Sequence, residues 1–205
     1  ILNKAGRIQG WCDGVLTEEG LEGAKNAAVG LSDIKFKAAY SSDLQRAVKT
    51  AKIVITENKA SKNLKLREMP ELREVCCGKY ECEMEKIMFN DIMSYLNVKS
   101  FSEIRQLSDF EKSYINASAA LDETGQAENY NTLIKRVMKG LKEISEENSR
   151  NDGGNVLVVI HGGVLRAILK VIDKNLCIAD MYNCCVCKLE YENDSFKVLS
   201  VNDMS

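Results

Sequence analysis

Five consecutive apolar residues, Val156-Leu157-Val158-Val159-Ile160, run into His161-Gly162-Gly163 and then into Val164-Leu165-Arg166. An apolar run of this length is the pattern of a strand covered on both faces, which requires a sheet packed between helices. The glycine pair lets the backbone turn directly into a helix whose first amides are unpaired and carry the positive end of its dipole. Such a junction holds anions. The chain's only histidine stands on it, so an imidazole and a set of amides can meet the same phosphate. A lone histidine beside an apolar run is more often a core or strand-end residue, so this reading depends on what the other segments supply.

They supply alternation. Thr17 reads as an N-cap, with Glu18 and Glu19 in the first turn and Leu21, Ala24, Ala28 and Leu31 at helical spacing, which predicts a helix over 17–31. Lys37 to Ser41 reads as a short strand, after which Ser42 or Asp43 caps a helix with Leu44, Val48, Ala51 and Ile55 on one face. Leu64 to Leu66 is a weaker strand. Residues 82–96 and 102–120 read as helices, and 129–147 carries Leu133, Val137, Leu141 and Ile144 at helical spacing. A helix over 163–172 follows the strand at 156–160. Cys184 to Tyr191 and Phe196 to Val201 then read as strands joined by a tight Glu192-Asn193-Asp194-Ser195 turn. Strands alternating with helices indicate an open α/β sheet with ligands beyond the C-terminal strand ends.

Two further residues then fall where an anion site needs them. Ser41 and Ser42 end a strand, and Arg46 follows one turn into the next helix, where a guanidinium can clamp an anion with two hydrogen bonds. Glu74 lies in Leu72-Arg73-Glu74-Val75-Cys76-Cys77-Gly78-Lys79-Tyr80-Glu81, a loop from which a general acid can project. Taken singly, Arg46 reads as a solvated helix face and Glu74 as an exposed carboxylate. The net charge of -2 gives no long-range field for nucleic acid or an acidic membrane surface, so anion recognition must be local. No apolar run reaches a membrane span and no basic-apolar leader precedes Ile1, so the expectation is a cytoplasmic protein with no membrane or nucleic-acid partner.

With 205 residues the chain has a core and does not depend on disulfides, so its eight irregularly spaced cysteines read as free thiols. Cys184, Cys185 and Cys187 read as small apolar filler in a strand. Neither they nor Cys76-Cys77 with Cys82 have zinc-knuckle spacing, so no metal is expected.

The motifs, in order, resemble those of the histidine phosphatase superfamily, also called phosphoglycerate-mutase-like. They are the stretch from Asn3 to Gly20, then Ser41-Ser42-Asp43-Leu44-Gln45-Arg46-Ala47-Val48-Lys49-Thr50-Ala51, Leu72-Arg73-Glu74 with Gly78-Lys79-Tyr80-Glu81, Ala127-Glu128 with Arg136, and His161-Gly162-Gly163. The resemblance implies a three-layer α/β/α sandwich with a mixed, mostly parallel sheet, formed by a single domain over residues 1–205 with a helical cap at about 82–126. It implies phosphoryl transfer through a phosphohistidine, with no metal and no cofactor. It casts Glu74, His161 and Arg46 as catalytic, Glu74 being the proton donor to the leaving oxygen. Asn3, Gln9, Gly10, Arg46, His161 and Gly162 would form the phosphate pocket.

One departure bears on the mechanism. The family's nucleophilic histidine stands in an Arg-His-Gly stretch ending a strand, and counting back from Asn3 puts that stretch before Ile1. His161 matches the family's second histidine, so an Arg-His-Gly strand is expected to precede Ile1 in the encoded protein. A phosphatase is expected, acting on a small-molecule phosphomonoester and releasing inorganic phosphate. The extra basic residues and proline-rich stretch by which family mutases hold a carboxylate are not evident. Mutase activity and phosphate binding without catalysis stand as alternatives, and a homodimer is compatible with the chain. Met84, Met88, Phe89, Met93 and Tyr95 read as a helix face packed on the core, with the floor of an apolar pocket as the lesser reading.

Overall fold

Thr17 opens the first long helix as its composition predicts, its hydroxyl accepting the amide of Gly20 at 3.1 Å. In this computed structural model, which describes residues 1–107, 109–149, 153–178 and 180–203, that helix is α1, Glu18–Gly30. The elements that follow are β1 (Phe36–Ser41), α2 (Gln45–Glu57), β2 (Leu66–Glu68), α3 (Glu85–Leu96), α4 (Phe101–Arg105), α5 (Phe110–Leu121) and α6 (Tyr130–Ser149). Then come β3 (Asn155–Val159), α7 (Gly162–Ile172), β4 (Val186–Glu192) and β5 (Ser195–Asp203). Short 3-10 turns cover Asn3–Ala5, Pro70–Leu72 and Gly78–Tyr80.

Three parallel strands form a sheet in the order β2-β1-β3, and β4 and β5 form an antiparallel hairpin. Because side chains alternate along a strand, β1 feeds two cores. Phe36 and Ala39 join Leu157 against Ala28 of α1 and Val54 of α2. Tyr40 points the other way, into Leu133, Val137, Leu141 and Ile144 of α6 and Val164, Ala167 and Ile168 of α7. The sheet therefore lies between two helical layers, the three-layer arrangement expected. A third cluster, built by Met88, Ile92, Ile104 and Ala117 with Ile8, Cys77 and Tyr80, holds α3, α4 and α5 together beside the sheet. Met88, Phe89 and Met93 pack into that cluster, whereas Met84 and Tyr95 are exposed.

The structure moves several boundaries. The weak strand falls at Leu66–Glu68, because those residues pair with Ala39 to Ser41. Residues 82–84 are not helical, since Cys82 takes a left-handed φ of 64° that a right-handed helix excludes. The helix expected over 102–120 is two, α4 and α5, with residue 108 outside the described residues. Cys184, at a φ of 60°, and Cys185 both precede the strand, so of the three cysteines only Cys187 lies within it. Neither Ser42 nor Asp43 caps α2: the amide of Gln45 is taken by the carboxylate of Asp13, far away in sequence. Finally, β3 has both faces covered as its apolar run predicts, Val156 and Val158 packing on the core of α6 and α7, and Leu157 and Val159 on that of α1 and α2. Along its outer side it is an edge of its sheet, hydrogen-bonded to β1 alone among the described residues.

Candidate active site

Parallel pairing puts the ends of β1 and β3 level. Ser41 lies opposite Val159, and the amide of Ser42 donates to the Val159 carbonyl at 3.0 Å. The segment leading into α2 and the histidine leading into α7 therefore emerge side by side. His161 is the N-cap of α7 in extended conformation, 8% exposed, and its buried Nε2 has no hydrogen-bond partner. Burial, followed by the positive charge of Arg46, pushes its pKa down to about 3, against the opposing pull of Asp13 and Asp43. The imidazole is neutral at physiological pH. An unpartnered buried nitrogen costs about 1–3 kcal/mol, so it is a natural contact for a ligand atom.

The amino end of α7, where the sequence suggests an anion, already holds one. The carboxylate of Glu74 accepts the amides of Gly163 and Val164, both at 3.0 Å, and of Val75 at 2.9 Å. The amide of Gly162 is not among these donors. Glu74 is partly exposed as a residue, but its carboxyl group is withdrawn from water, and that desolvation raises its pKa despite the amides and Arg46, which favour the charged form. A carboxyl group biased toward its protonated form beside a neutral imidazole is equipped to give a proton to a leaving oxygen.

Arg46 reaches the same place with its hydrogen bonds largely committed. Nη1 donates to the carbonyl of Cys12 at 3.0 Å and to Asp13 at 3.3 Å, and Nη2 to the carbonyls of Gly10 at 2.7 Å and Gln9 at 3.4 Å. The guanidinium thus gathers the loop 9–13 beside His161. Gly10 is required there by contact, because a Cβ would stand 2.3 Å from both Glu81 Oε1 and the Val75 carbonyl. Gln9 and Gly10 are brought to Arg46 through their backbones. Asn3 is exposed in the first 3-10 turn, and among the described residues no hydrogen bond joins its side chain to Arg46, Glu74 or His161.

Several contributors lie in the motifs quoted above but receive no role from the sequence. Arg136 of α6 binds Glu128 through two bonds of 2.7 and 2.6 Å and spends its remaining donors on the carbonyls of Glu71, Arg73 and Glu74 at 2.8, 3.0 and 3.1 Å. It therefore holds the loop that carries the acid. Arg73 and Asp43 form a second two-bonded pair, at 2.7 and 2.6 Å. The Trp11 ring lies 4.7 Å below the Arg73 guanidinium, and its Nε1 donates to the Glu74 carbonyl at 2.7 Å. The carboxylate of Glu81 collects four amides around the loop. Finding these in a sequence would need paired substitutions across homologues, since each bridges segments far apart.

All eight cysteines are free. Those nearest the loop are held protonated: burial pushes Cys12 up to about 12 and drives Cys77 well above its ordinary value. A thiolate nucleophile is withheld. Among the described residues no group of three or more His, Cys, Asp and Glu side chains is arranged to hold a metal ion, and no helix is long and apolar enough to cross a membrane.

The chain as a whole is matched in known proteins. Residues 2–204 match the histidine phosphatase superfamily (branch 1), and the chain belongs to that family. It is 29% identical over 204 residues to a metal-independent phosphoserine phosphatase of Arabidopsis thaliana, covering 99% of this chain and 77% of that protein. It is 28% identical over 185 residues to a 2,3-bisphosphoglycerate-dependent phosphoglycerate mutase of Streptococcus thermophilus, covering 84% and 79%. The crystal structure of a phosphoglycerate mutase from Bacillus anthracis superposes with a TM-score of 0.94 at 36% identity, covering all of this chain and 88% of that one.

Proposed function

We propose that the protein hydrolyses small phosphomonoesters, without metal or cofactor, through a phosphohistidine. The observation that carries this reading is the placement of Glu74, whose proton-biased carboxyl group sits on the first amides of α7 next to the neutral His161. In the first step a histidine nitrogen bonds to phosphorus as the ester oxygen leaves with the proton of Glu74. In the second, the Glu74 carboxylate takes a proton from water while that water's oxygen displaces the histidine, which frees inorganic phosphate and restores the acid. His161 supplies its partnerless Nε2 to a phosphoryl oxygen, and Arg46 lends charge from beside it.

The reading takes the nucleophile from an Arg-His-Gly strand lying along the outer edge of β3. The eight free thiols support a reducing, cytoplasmic setting. A mutase is the second reading, favoured by the likeness to the B. anthracis enzyme. Hydrolysis is preferred because, with Arg46 given to the phosphoryl group, the other arginines of the site are each committed to a carboxylate through two bonds, Arg73 to Asp43 and Arg136 to Glu128, which leaves neither free for the carboxylate of a phosphoglycerate.

The test follows phosphate release from a panel of phosphomonoesters by the full-length protein in EDTA, alongside isomerisation of 3-phosphoglycerate primed with 2,3-bisphosphoglycerate. Phosphate release unaffected by EDTA, with no isomerisation, is the expected result. Isomerisation faster than hydrolysis would reverse the assignment. Rapid-quench labelling should give an acid-labile phosphohistidine on a peptide other than the one containing His161, and label on His161 would overturn the proposed source of the nucleophile.

A further inference from the structure

We infer that Glu81 is a positioning residue that sets both the phosphate-binding arginine and the proton donor, acting through the loop 10–12; this rests on the hydrolase reading above. The geometry is unusual for a side chain outside the pocket. Oε2 accepts the amides of Gly10 at 3.2 Å and Cys12 at 2.8 Å, and Oε1 those of Trp11 at 2.8 Å and Cys77 at 2.9 Å. Successive amides turned toward one carboxylate leave the carbonyls of the same peptides facing away from it, and two of these, Gln9 and Gly10, accept from Nη2 of Arg46, while Nη1 takes the Cys12 carbonyl at the end of the loop. One loop is thus held from its amide side by an anion and from its carbonyl side by a cation. The side chain of Trp11 extends the linkage, its indole N–H holding the carbonyl of Glu74. Hydrogen bonds to a charged acceptor are about twice as strong as neutral ones, so replacing this carboxylate with an amide weakens the whole arrangement. Glutamine also brings an NH2 group that faces amide donors and can accept nothing from them.

Expected for Glu81→Gln is a loss of affinity for inorganic vanadate of about tenfold, read by calorimetry, because Arg46 loses its fixed direction. Its kcat/KM should also fall several-fold more for an alkyl phosphate than for p-nitrophenyl phosphate, because only the alkyl ester needs the proton of Glu74. A purely architectural role would lower Tm and move neither the vanadate affinity of the folded protein nor the alkyl-to-aryl ratio. Glu81→Gln with wild-type values of both overturns the inference. Should that variant fail to fold, Glu81→Asp keeps the charge but draws it back by one methylene from the amides of Gly10, Trp11 and Cys12, and the same two readouts decide. A wild-type protein that binds vanadate but hydrolyses nothing refutes the hydrolase reading instead, and the vanadate comparison then decides the role of Glu81 alone.

Discussion

Glu74 holds the amide of Gly163 at 3.0 Å, which places an acid two residues beyond the only histidine of the chain and on the amino end of the helix that the histidine opens. The helix dipole there would favour the charged carboxylate. Desolvation acts in the opposite sense and wins, so the group is tuned toward protonation while its position is fixed by amides.

Gly163→Ala should separate position from folding. A Cβ there would stand 2.9 Å from Glu74 Oε1 and 3.1 Å from Oε2, and what must yield is the end of a side chain rather than backbone. The variant is expected to melt within a few degrees of wild type, yet to lose roughly tenfold or more in kcat on alkyl phosphates, in line with the usual value of a positioned acid. Unchanged alkyl turnover, measured by phosphate release, would mean that the acid does not act from this position.

The pH dependence of the same substrates follows from the direction of the Glu74 shift. Its protonated form is the active donor, and its folded pKa lies above the ordinary 4.5, so kcat on alkyl phosphates should hold at low pH and fall as pH rises through the raised pKa. Glu74→Gln should flatten that limb while leaving aryl phosphates comparatively active. A limb that persists in the variant assigns the titration to another group.

His161 makes a prediction about stability. Its folded pKa of about 3 lies below the ordinary 6.5, so its contribution is fully present above about pH 6.5 and is lost as pH falls toward 3, where the unfolded chain binds a proton that the fold refuses. The slope from this residue is at most about 1.4 kcal/mol per pH unit. Urea midpoints of wild type and His161→Gln, compared at pH 7 and pH 4, should diverge less at pH 4, and a constant difference would place the imidazole in water.

Arg136→Ala should be among the most damaging single changes outside the apolar core. Its side chain is 17% exposed and that of Glu128 9%, so removal leaves a buried carboxylate without its counter-charge, held among the described residues by the Cys76 amide alone, and takes a donor from the carbonyls of Glu71, Arg73 and Glu74. Breaking such a pair costs about 3–5 kcal/mol. Denaturant titration checks the figure, and a loss below about 1 kcal/mol would show water replacing the guanidinium freely.

Local chemistry made part of this legible in advance. The Thr17 cap and the helical spacing of Leu133, Val137, Leu141 and Ile144 depend on residues within a few positions of one another, and both are found in the structure. The strand-to-helix turn at His161-Gly162-Gly163 is of the same kind. Boundaries failed where a distant residue decided them: Asp13 takes the amide that opens α2, and pairing with β1 shifts β2. At the site, Arg46, Glu74 and His161 could be picked out by type and by their place after strands. What could not be read was that Glu74 would fill the helix end assigned to phosphate, or that Glu81 and Arg136 would hold the loops. Those are bonds between segments 60 or more residues apart, and no local spacing encodes them.

The chain has a single tryptophan, and it is Trp11, 36% exposed, with the guanidinium of Arg73 over its ring and the carbonyl of the acid on its indole nitrogen. Indole emission from this chain, excited beyond the absorption of its tyrosines, therefore originates within the loops of the candidate site. Any anion that draws Arg46 or Glu74 to a new position alters the dielectric and the charges around that one indole, so the native chain carries its own optical reporter of occupancy and needs no label.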